Sequence, residues 1–350
     1  MKFIIGSDHA GFDYKNAIRD HLENQGHEVV DVGTDSDESC DYPDYAHQVA
    51  EQISRHRNWR GILVCGSGVG MSITANRYTG VRGALCLDSS MARKAREHNH
   101  ANCLVLAERL MERSEAIDAV DEFIDGEFEG GRHARRLEHI DDPPLRVISH
   151  PLVQTKMNLL RDKDTPNKKF RELVGELSGL MFYELTGSFE TADQSVETPL
   201  GVAEGKKLMQ DILLVPIMRA GLGMVDPILQ LVPNAKVGHV GLYRNEDTLE
   251  PVEYYLKLPQ DLQDPGINVL DPMLATGGTA TAAISQIKNR GFSENIRFLC
   301  LVAAPEGIEK VHDNHPDVSI YTAAIDDGLD DRGFILPGLG DAGDRLFGTQ

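Results

Sequence analysis

Cys65 follows a run of apolar residues and is itself followed by a cluster of glycines, in the stretch GILVCGSGVGMSITAN. The apolar run predicts a buried strand, and a glycine-rich turn after such a strand can aim several backbone N–H groups at one point. Those amides would hold an anion and would favour a thiolate. We therefore predict a ligand site in which the Cys65 thiol has a lowered pKa.

Other reactive side chains lie where they would share this site. SDHAG places Asp8 and His9 at the end of another apolar run, and REHNHAN places His98 and Asn99 at a helix end. GGRHARR spaces two arginines four residues apart, so that both lie on one helical face. The structural alternative is a buried cysteine beside a loop that binds nothing and a solvated arginine face. No Cys/His pair has the spacing of a zinc site.

A second chemical stretch is INVLDPMLATGGTATAAISQIKNRG. An apolar run ends at Asp271, and the turn with Thr276 to Thr279 then precedes a helical pattern. Glycines let a backbone wrap a phosphate, and hydroxyls and helix-start amides bind its oxygens. Asp271 would accept hydrogen bonds from ribose hydroxyls. The alternative is a well-capped strand–helix turn, and the absence of a lysine after the glycines rules out a P-loop.

Arginines and an unusual tail accompany this stretch. Arg219 in PIMRAGLGM and Arg244 in LYRNEDTLEP can each bond two phosphate oxygens through a planar guanidinium. The tail FILPGLGDAGDRLFGT interleaves apolar residues with glycines and aspartates. A frayed tail would be more polar, so we predict that it is packed and functional.

Short apolar strands alternating with amphipathic helices must position these groups. In the first part strands are predicted at 2–7, 27–33, 61–68, 81–88 and 103–108, with helices at 13–26, 44–57, 89–99, 114–128 and 130–140. In the second, helices are predicted at 155–162 and 167–187 and strands at 212–218, 236–243, 267–273, 296–305 and 318–324. This alternation predicts an α/β protein with two doubly wound parallel-sheet domains in series.

Composition limits the function classes. The 350 residues carry a formal net charge of −20, which argues against a general nucleic-acid binder. No apolar run approaches the roughly 20 residues that span a bilayer, so no membrane association is expected. Five cysteines without a Cys-x-x-Cys pair argue against a disulfide scaffold and favour a reducing, cytoplasmic location.

The first 140 residues resemble the type B ribose-5-phosphate isomerases, through SDHAGF, DYPDYA, CGSGVGMSITANR, REHNHAN and EGGRHARRLEHI. The resemblance implies a Rossmann-like domain that interconverts ribulose 5-phosphate and ribose 5-phosphate through an enediolate, without a cofactor, in a homodimer that builds the site across its interface. It implies Cys65 as the base and His98 as the group that opens the furanose ring.

The same resemblance implies the other residues that bind the pentose phosphate. They are Asp8, Tyr42 and Asn99 for sugar oxygens, the amides around Gly66, Ser67, Gly68 and Gly70 for the enediolate oxygen, His9, Arg132 and Arg136 for the phosphate, and Arg109 at a family arginine position. Some relatives of this architecture act on hexose 6-phosphates, so the length of the sugar stays open.

From residue 148 onward the chain resembles uracil phosphoribosyltransferases, through HPLVQTKMNLLRD, the DPMLATGGT loop, VAAPEGIEKVHDNHPDV and the tail. The resemblance implies a type I phosphoribosyltransferase domain that transfers phosphoribosyl from phosphoribosyl pyrophosphate to uracil, giving UMP and pyrophosphate. It implies Mg²⁺, bound through the pyrophosphate rather than by side chains. The segment from Phe189 to Lys207 lacks the Gly-Trp-x-Gly-Pro sequence of bacterial members, which leaves activation by GTP in doubt.

This second resemblance also assigns residues to each substrate. For phosphoribosyl pyrophosphate they are Arg219, Arg244, Asp271, Pro272, Met273, Leu274, Ala275, Thr276, Gly277, Gly278, Thr279 and Asp341, with Asp271 as a catalytic residue. For uracil they are Ile335, Gly340, Asp341 and Ala342, read mainly through backbone groups.

The prolines in HIDDPPLRVISHPL mark the boundary between the two parts. We predict an isomerase domain at 1–141, a short linker at 142–147 and a transferase domain at 148–350, in a homo-oligomer. The leading hypothesis is a bifunctional enzyme. In the alternative, only the transferase half is catalytic and the first half is a sugar-phosphate-binding or oligomerisation module. A non-enzymatic sensor is a third, which the retained Cys65 disfavours.

Overall fold

The computed structural model describes residues 1–349 apart from 57, 142, 245–250, 260–261 and 263–264, and for 138, 141, 243–244 and 251–253 it describes the backbone alone. The chain divides into two compact units, Met1–Asp141 and Asp142–Gln350. Among the described residues, no helix combines the length and the apolar composition that crossing a membrane requires.

The first unit alternates strands and helices along the chain. Its elements are β1 (Lys2–Ser7), α1 (Phe12–Asn24), β2 (Glu28–Asp31), α2 (Tyr42–Arg55), β3 (Trp59–Cys65), α3 (Val69–Ala75), β4 (Gly83–Cys86), α4 (Ser89–Asn99), β5 (Cys103–Ala107), a 3-10 turn (Glu108–Leu110), α5 (Arg113–Asp125) and α6 (Arg132–Asp141). Its described strands form a parallel sheet in the order β2-β1-β3-β5-β4.

Successive side chains of each strand enter opposite faces of this sheet, because side chains of a β-strand alternate. Phe3 and Ile5 pack with the buried residues of α1, α4 and α5, whereas Ile4 packs with those of α2 and α3. Cys65 lies on the second of these faces. Ser7 of β1 pairs with Val64 of β3, so that Asp8 and Cys65 follow at the same carboxyl edge of the sheet.

The second unit begins with a strand. Its elements are β6 (Leu145–Val147), α7 (Pro151–Arg161), α8 (Asn167–Leu185), a 3-10 turn (Thr186–Ser188), β7 (Thr191–Thr198), β8 (Gly201–Leu208), β9 (Ile212–Met218), a 3-10 turn (Ala220–Met224), α9 (Val225–Leu231), β10 (Lys236–Val237), β11 (His239–Arg244), β12 (Pro251–Lys257), β13 (Gly266–Leu270), β14 (Met273–Leu274), α10 (Gly278–Asn289), β15 (Ile296–Ala303), α11 (Pro305–Asn314), β16 (Ser319–Ile325), β17 (Gly328–Leu329), β18 (Ile335–Leu336) and α12 (Ala342–Phe347).

The main sheet of the second unit runs in the order β12-β11-β9-β13-β15-β16-β6 within the described residues. All neighbours are parallel except β12, which is antiparallel to β11. Helices α7, α8, α9 and α12 cover one face, and α10 and α11 cover the other. Because both faces are covered, the central strands are largely apolar, as in Ile212–Ile217, and the buried Asn268 of β13 is an exception.

The prediction of two α/β domains with parallel sheets is confirmed by this architecture. The structure adds elements that the periodicity did not reveal. Leu145–Val147, within the predicted linker 142–147, pairs parallel to β16 and belongs to the second sheet, so the linker is shorter at that end. Asp142 of that linker lies outside the described residues. The segment from Phe189 to Lys207 lies largely in an antiparallel hairpin of β7 and β8.

Candidate active sites

The Cys65 thiol lies at the end of β3, inside the turn that starts α3. Its Sγ accepts a hydrogen bond from the backbone N–H of Gly68 at 3.1 Å. Gly68 has φ +73°, and a Cβ there would lie 2.3 Å from Leu85 Cδ1, so a side chain at this position would clash as well as strain the backbone. Glycine at 68 therefore lets the turn bring its amides onto the sulfur.

Burial raises the pKa of the Cys65 thiol, although the amides of Gly68, Ser67 and Met71 act in the opposite direction and Asp8 adds to the rise. The predicted lowering was wrong in direction. Removing the sulfur from water penalises the thiolate more than three weak amide contacts favour it. A base at this position would be a thiol at neutral pH until a substrate changes its surroundings.

Asp8 and His9 follow β1 on the same edge as Cys65. The buried Asp8 carboxylate accepts hydrogen bonds from Ala10 N–H and Gly11 N–H, both at 3.1 Å, which fixes the turn after the strand. His9 Nδ1 accepts from the backbone N–H of Cys40 at 3.2 Å. The bond assigns the proton of a neutral His9 to Nε2, which leaves a donor for an anion.

Tyr42 and Arg109 lie against the glycines of the Cys65 turn. A Cβ on Gly70 would lie 2.5 Å from ring atoms of Tyr42, and a Cβ on Gly66 would lie 3.1 Å from Arg109 Nε. Arg109 also donates its backbone N–H to Gly66 O at 3.0 Å. The glycines predicted to bind the enediolate oxygen therefore also make room for a phenol and a guanidinium beside the thiol, while Ser67 is exposed.

His98 belongs to a second cluster, with two residues that the sequence analysis did not assign. Its ring stacks on His133 with centroids 4.2 Å apart and planes 8° apart. Glu129 Oε2 lies 3.8 Å from His98 Nε2 and 3.5 Å from His133 Nε2. Arg132 Nε donates to His133 Nε2 at 3.2 Å. Burial, followed by nearby His98 and Arg132, lowers the pKa of His133 and so favours its neutral form.

The ligand atoms of His98, Glu129 and His133 lie within 4.8 Å of one another, a distance at which three residues could bind one metal ion. Imidazole lone pairs lie in the ring plane, and two nearly parallel rings cannot both direct theirs at one ion. A tetrahedral site would require one ring to turn. The cluster as folded therefore does not have the geometry of a zinc site.

The predicted isomerase residues thus fall into two groups. Asp8, Tyr42, Cys65 and Arg109 surround one turn, and His98 with Arg132 forms the other group. Asn99 at the end of α4 and Arg136 on α6 are exposed. Within the described part of the first unit, no hydrogen bond or ion pair joins Cys65 to the His98 cluster. Only the position of His133 between the arginines of GGRHARR gave a sequence signal for it.

Asp271 follows β13 at the carboxyl edge of the second sheet. Its Oδ1 accepts from the backbone N–H of Met273 at 3.2 Å. Although the residue keeps partial access to solvent, burial raises the pKa of the Asp271 carboxyl to about 7. Leu270 pairs with Pro216 of β9, so Asp271 and the end of β9 share one edge.

The loop after Asp271 is built to approach another backbone closely. Pro272 and Leu274 are buried, Met273 and Leu274 form β14, and Gly277 caps α10 with φ +75°. A Cβ on Gly277 would lie 2.7 Å from Gly307 O. Ala275, Thr276, Gly278 and the exposed Thr279 complete the loop. The first amides of α10 have no intrahelical partner, which makes this turn a site for a phosphate.

The two predicted arginines lie at the ends of two paired strands, β9 and β11. Arg219 directly follows β9, and the peptide bond between Met218 and Arg219 is cis. Arg219 is exposed at the edge of the sheet. The backbone of Arg244 ends β11. The side chain of Arg244 lies outside the described part of the structure.

The tail is packed, as its interleaved apolar residues indicated. Ile335, Leu339 and Ala342 are buried, and Asp341 caps α12 by accepting from Asp344 N–H at 2.9 Å. Gly340 and Asp341 are exposed. Of the predicted uracil residues, Ile335 and Ala342 are therefore buried and anchor the turn in the core, whereas Gly340 and Asp341 lie at its surface.

Arg161 and Asp326 support this turn, and the sequence analysis missed both. The Arg161 guanidinium bonds both carboxylate oxygens of Asp326 at 2.7 Å and Gly338 O at 2.8 Å. Arg345 Nη1 donates to Leu339 O at 2.8 Å. No local pattern could reveal the pair, because its members are 165 residues apart.

Known proteins match the two units separately. The family model described as uracil phosphoribosyltransferase matches residues 147–349, and the one described as ribose/galactose isomerase matches residues 3–140. A uracil phosphoribosyltransferase from Dictyoglomus thermophilum is 58% identical over 205 residues, which are 58% of this chain and 99% of the relative.

Solved structures are similar to parts of the chain. A structure from Aquifex aeolicus is 39% identical, covers 59% of this chain and 99% of its own, and superposes with a TM-score of 0.56. A ribose 5-phosphate isomerase from Thermotoga maritima is 52% identical, covers 40% of this chain and 97% of its own, with a TM-score of 0.39.

Proposed function

The chain belongs to the uracil phosphoribosyltransferase family through residues 147–349 and carries a ribose/galactose isomerase domain at 3–140, and we propose that both domains are active. Both resemblances are thereby confirmed, and the chain is an enzyme with a transferase and an isomerase domain. The proposal is that it interconverts ribulose 5-phosphate and ribose 5-phosphate and also forms UMP from uracil and phosphoribosyl pyrophosphate. The observation that carries it is that each sheet has its own reactive group, Cys65 or Asp271, beside an amide-rich turn at its carboxyl edge.

In the isomerase domain, Cys65 would remove a proton from the carbon next to the carbonyl and return it to the neighbouring carbon. The enediolate formed between these steps would be stabilised by the amides of the 65–70 turn, which already bond the sulfur. His98, with Glu129 and His133 against it, would transfer the proton that opens the sugar ring. His9, Arg132 and Arg136 are proposed to bind the phosphate.

The positions of these residues favour a site shared by two copies. Cys65 ends β3 at the carboxyl edge, whereas His98 lies near the end of α4, which runs back along the sheet. We infer that one copy supplies Cys65 and its neighbours and a second copy supplies His98. A homo-oligomer follows from this arrangement.

In the transferase domain, the 276–279 turn would bind the 5-phosphate of the donor and Asp271 its ribose hydroxyls. Asp271 Oδ1 is occupied by Met273 N–H, and its other oxygen accepts no bond from the described residues. Uracil would displace pyrophosphate while held by the 335–342 turn, and Arg219 would bind the departing pyrophosphate.

Magnesium fits this domain as an ion that would bind together with phosphoribosyl pyrophosphate. Asp271 is a carboxyl at the sugar end of the loop, but burial favours its neutral form, which alone would hold a divalent ion poorly. The pyrophosphate would therefore supply most of the ion's oxygens. Bound there, magnesium neutralises the charge of the leaving group.

The five cysteines are all free in the structure, which supports a reducing compartment such as the cytoplasm. The two candidate small-molecule sites support pentose phosphate, phosphoribosyl pyrophosphate and uracil as its partners.

The deciding experiment assays both reactions on one set of variants. Cys65→Ala should abolish isomerisation and spare UMP formation, and Asp271→Asn should do the reverse. Cys103→Ala, which removes a fully buried thiol at the opposite edge of the first sheet, is the matched control. Isomerase activity that survives Cys65→Ala would exclude Cys65 as the base. A wild-type chain that forms UMP but does not isomerise would leave the first unit as a binding or oligomerisation module.

A further inference from the structure

The turn that is proposed to bind uracil is held at one residue, Gly338, by two side chains from elsewhere in the unit. Asp326 Oδ2 accepts from Gly338 N–H at 2.8 Å, and Arg161 Nη1 donates to Gly338 O at 2.8 Å. Arg161 and Asp326 also bond each other through two contacts of 2.7 Å. Both backbone polar groups of Gly338 are thus hydrogen-bonded to a single ion pair.

This ion pair is shielded from water. The Asp326 side chain is 6% exposed and that of Arg161 is 23% exposed. A bidentate guanidinium–carboxylate contact fixes direction as well as distance, and it is screened less than an exposed pair. The pair therefore fixes the position of the Gly338 backbone, which exposed ion pairs of α8 such as Lys169 with Glu172 would not do.

Position 338 accommodates only glycine. Its φ is +61°, and a Cβ would lie 2.2 Å from Ile335 O. Arg345 holds the next carbonyl, that of Leu339. The following residues, Gly340 and Asp341, are exposed. The residues held by these side chains, Gly338 and Leu339, thus directly precede the exposed residues that would face the base.

We propose that Arg161 and Asp326 are positioning residues for the nucleobase, setting the backbone groups of 335 and 340–342 at the distances that uracil requires. This inference rests on the proposed transferase function. Neither side chain needs to touch uracil. Their effect would be largest on uracil, because the phosphate turn at 276–279 is formed by other residues and Asp341 is the only residue assigned to the donor that lies in the 335–342 turn.

The test compares Asp326→Asn with Lys156→Gln. Lys156 lies on α7 like Arg161 and forms an ion pair with Glu176, so its loss removes an ion pair from the same helix without touching the turn. An asparagine at 326 keeps the size of the side chain but loses the charge that Arg161 and Gly338 N–H both face. We expect the KM for uracil to rise about tenfold, as for loss of a charged hydrogen bond, with a smaller rise in the KM for phosphoribosyl pyrophosphate and with isomerisation unchanged.

Asp326→Glu, which keeps the carboxylate, should recover part of the loss, and Lys156→Gln should behave as wild type. An equal rise of both KM values, or none, would overturn the proposal. If the wild-type chain formed no UMP, the proposed function would fail instead. Amide hydrogen exchange then tests whether the Arg161–Asp326 pair holds the turn. Residues 335–342 should exchange faster in Asp326→Asn than in Lys156→Gln, and equal rates would overturn the positioning role.

Discussion

Cys65 and His98 lie at opposite edges of the first sheet. Cys65 pairs with Ala107, four residues beyond the Gly61–Cys103 pair at the amino edge, a rise on the order of 13 Å along the strands. His100, two residues after His98, accepts from Arg82 Nε at 3.1 Å just before β4 begins. A helix that leaves the carboxyl edge and returns antiparallel to the strands must carry its last turn to the amino edge.

This separation predicts complementation between two inactive variants. Mixing Cys65→Ala and His98→Ala chains in equal amounts and allowing subunits to exchange should restore about a quarter of wild-type isomerase activity. Half of the dimers would be mixed, and each would hold one intact site of two. Each variant alone should be inactive. A mixture that stays inactive after mass spectrometry shows mixed dimers would place both residues in one copy.

The buried Cys65 predicts an isomerase that gains rate with alkaline pH. Because burial raises the thiol pKa, only a small fraction is thiolate near neutrality, and below the pKa this fraction grows about tenfold per pH unit. We expect log kcat/KM for ribose 5-phosphate to climb with a slope near one from pH 7 to 9. UMP formation by the same preparation serves as the control for loss of fold. A profile already flat at pH 7 would show that the thiol pKa is lowered in the working enzyme.

The raised pKa of Asp271 predicts that its ionised carboxylate destabilises the folded state although it is required for UMP formation. Its folded pKa of about 7 lies above the ordinary value of 3.8, so the folded state binds this proton more tightly than the unfolded state. The resulting stabilisation is complete below about pH 4 and is lost as pH rises through 7. Asp271→Asn should therefore raise the free energy of unfolding at pH 8 by roughly 1–4 kcal/mol while removing UMP formation.

Thermal unfolding at pH 4.5 and pH 8 checks this sign. The gain in Tm should be larger at pH 8, and Asp317→Asn, at an exposed carboxyl beside Lys288, should show no such difference. A variant less stable than wild type at pH 8 would contradict the assignment of Asp271 as a destabilised carboxylate.

Gly277→Ala should strongly reduce UMP formation and leave isomerase activity unchanged. The substitution strains a left-handed residue, by roughly 1–2 kcal/mol, and drives a methyl group to within 2.7 Å of Gly307 O. Gly291→Ala is the matched control, since its φ of +94° brings the same strain but its Cβ would meet nothing within 4 Å. We expect the velocity of UMP formation to fall at least about a hundredfold in Gly277→Ala. Equal effects of the two variants would show that backbone strain alone is responsible.

Local patterns located most of the elements that carry the sites. The apolar runs at 61–65 and 267–270 ended in the reactive residues, and the glycines after them marked left-handed turns at 68 and 277. The same reasoning failed for 145–147, because three residues after two prolines gain strand structure only by pairing with β16. It also failed for the Cys65 pKa, where the sum of burial and amide contacts decides the sign.

The sequence by itself determined the two families, the sheet class and the residues that can react, because strand and turn preferences depend on neighbours along the chain. Only the tertiary structure decided which groups meet. It stacked His133 on His98, left Cys65 apart from both, and joined Arg161 to Asp326 across 165 residues. Such contacts arise when helices and loops pack onto sheets, and they set the distances, the burial and therefore the pKa values on which the chemistry depends.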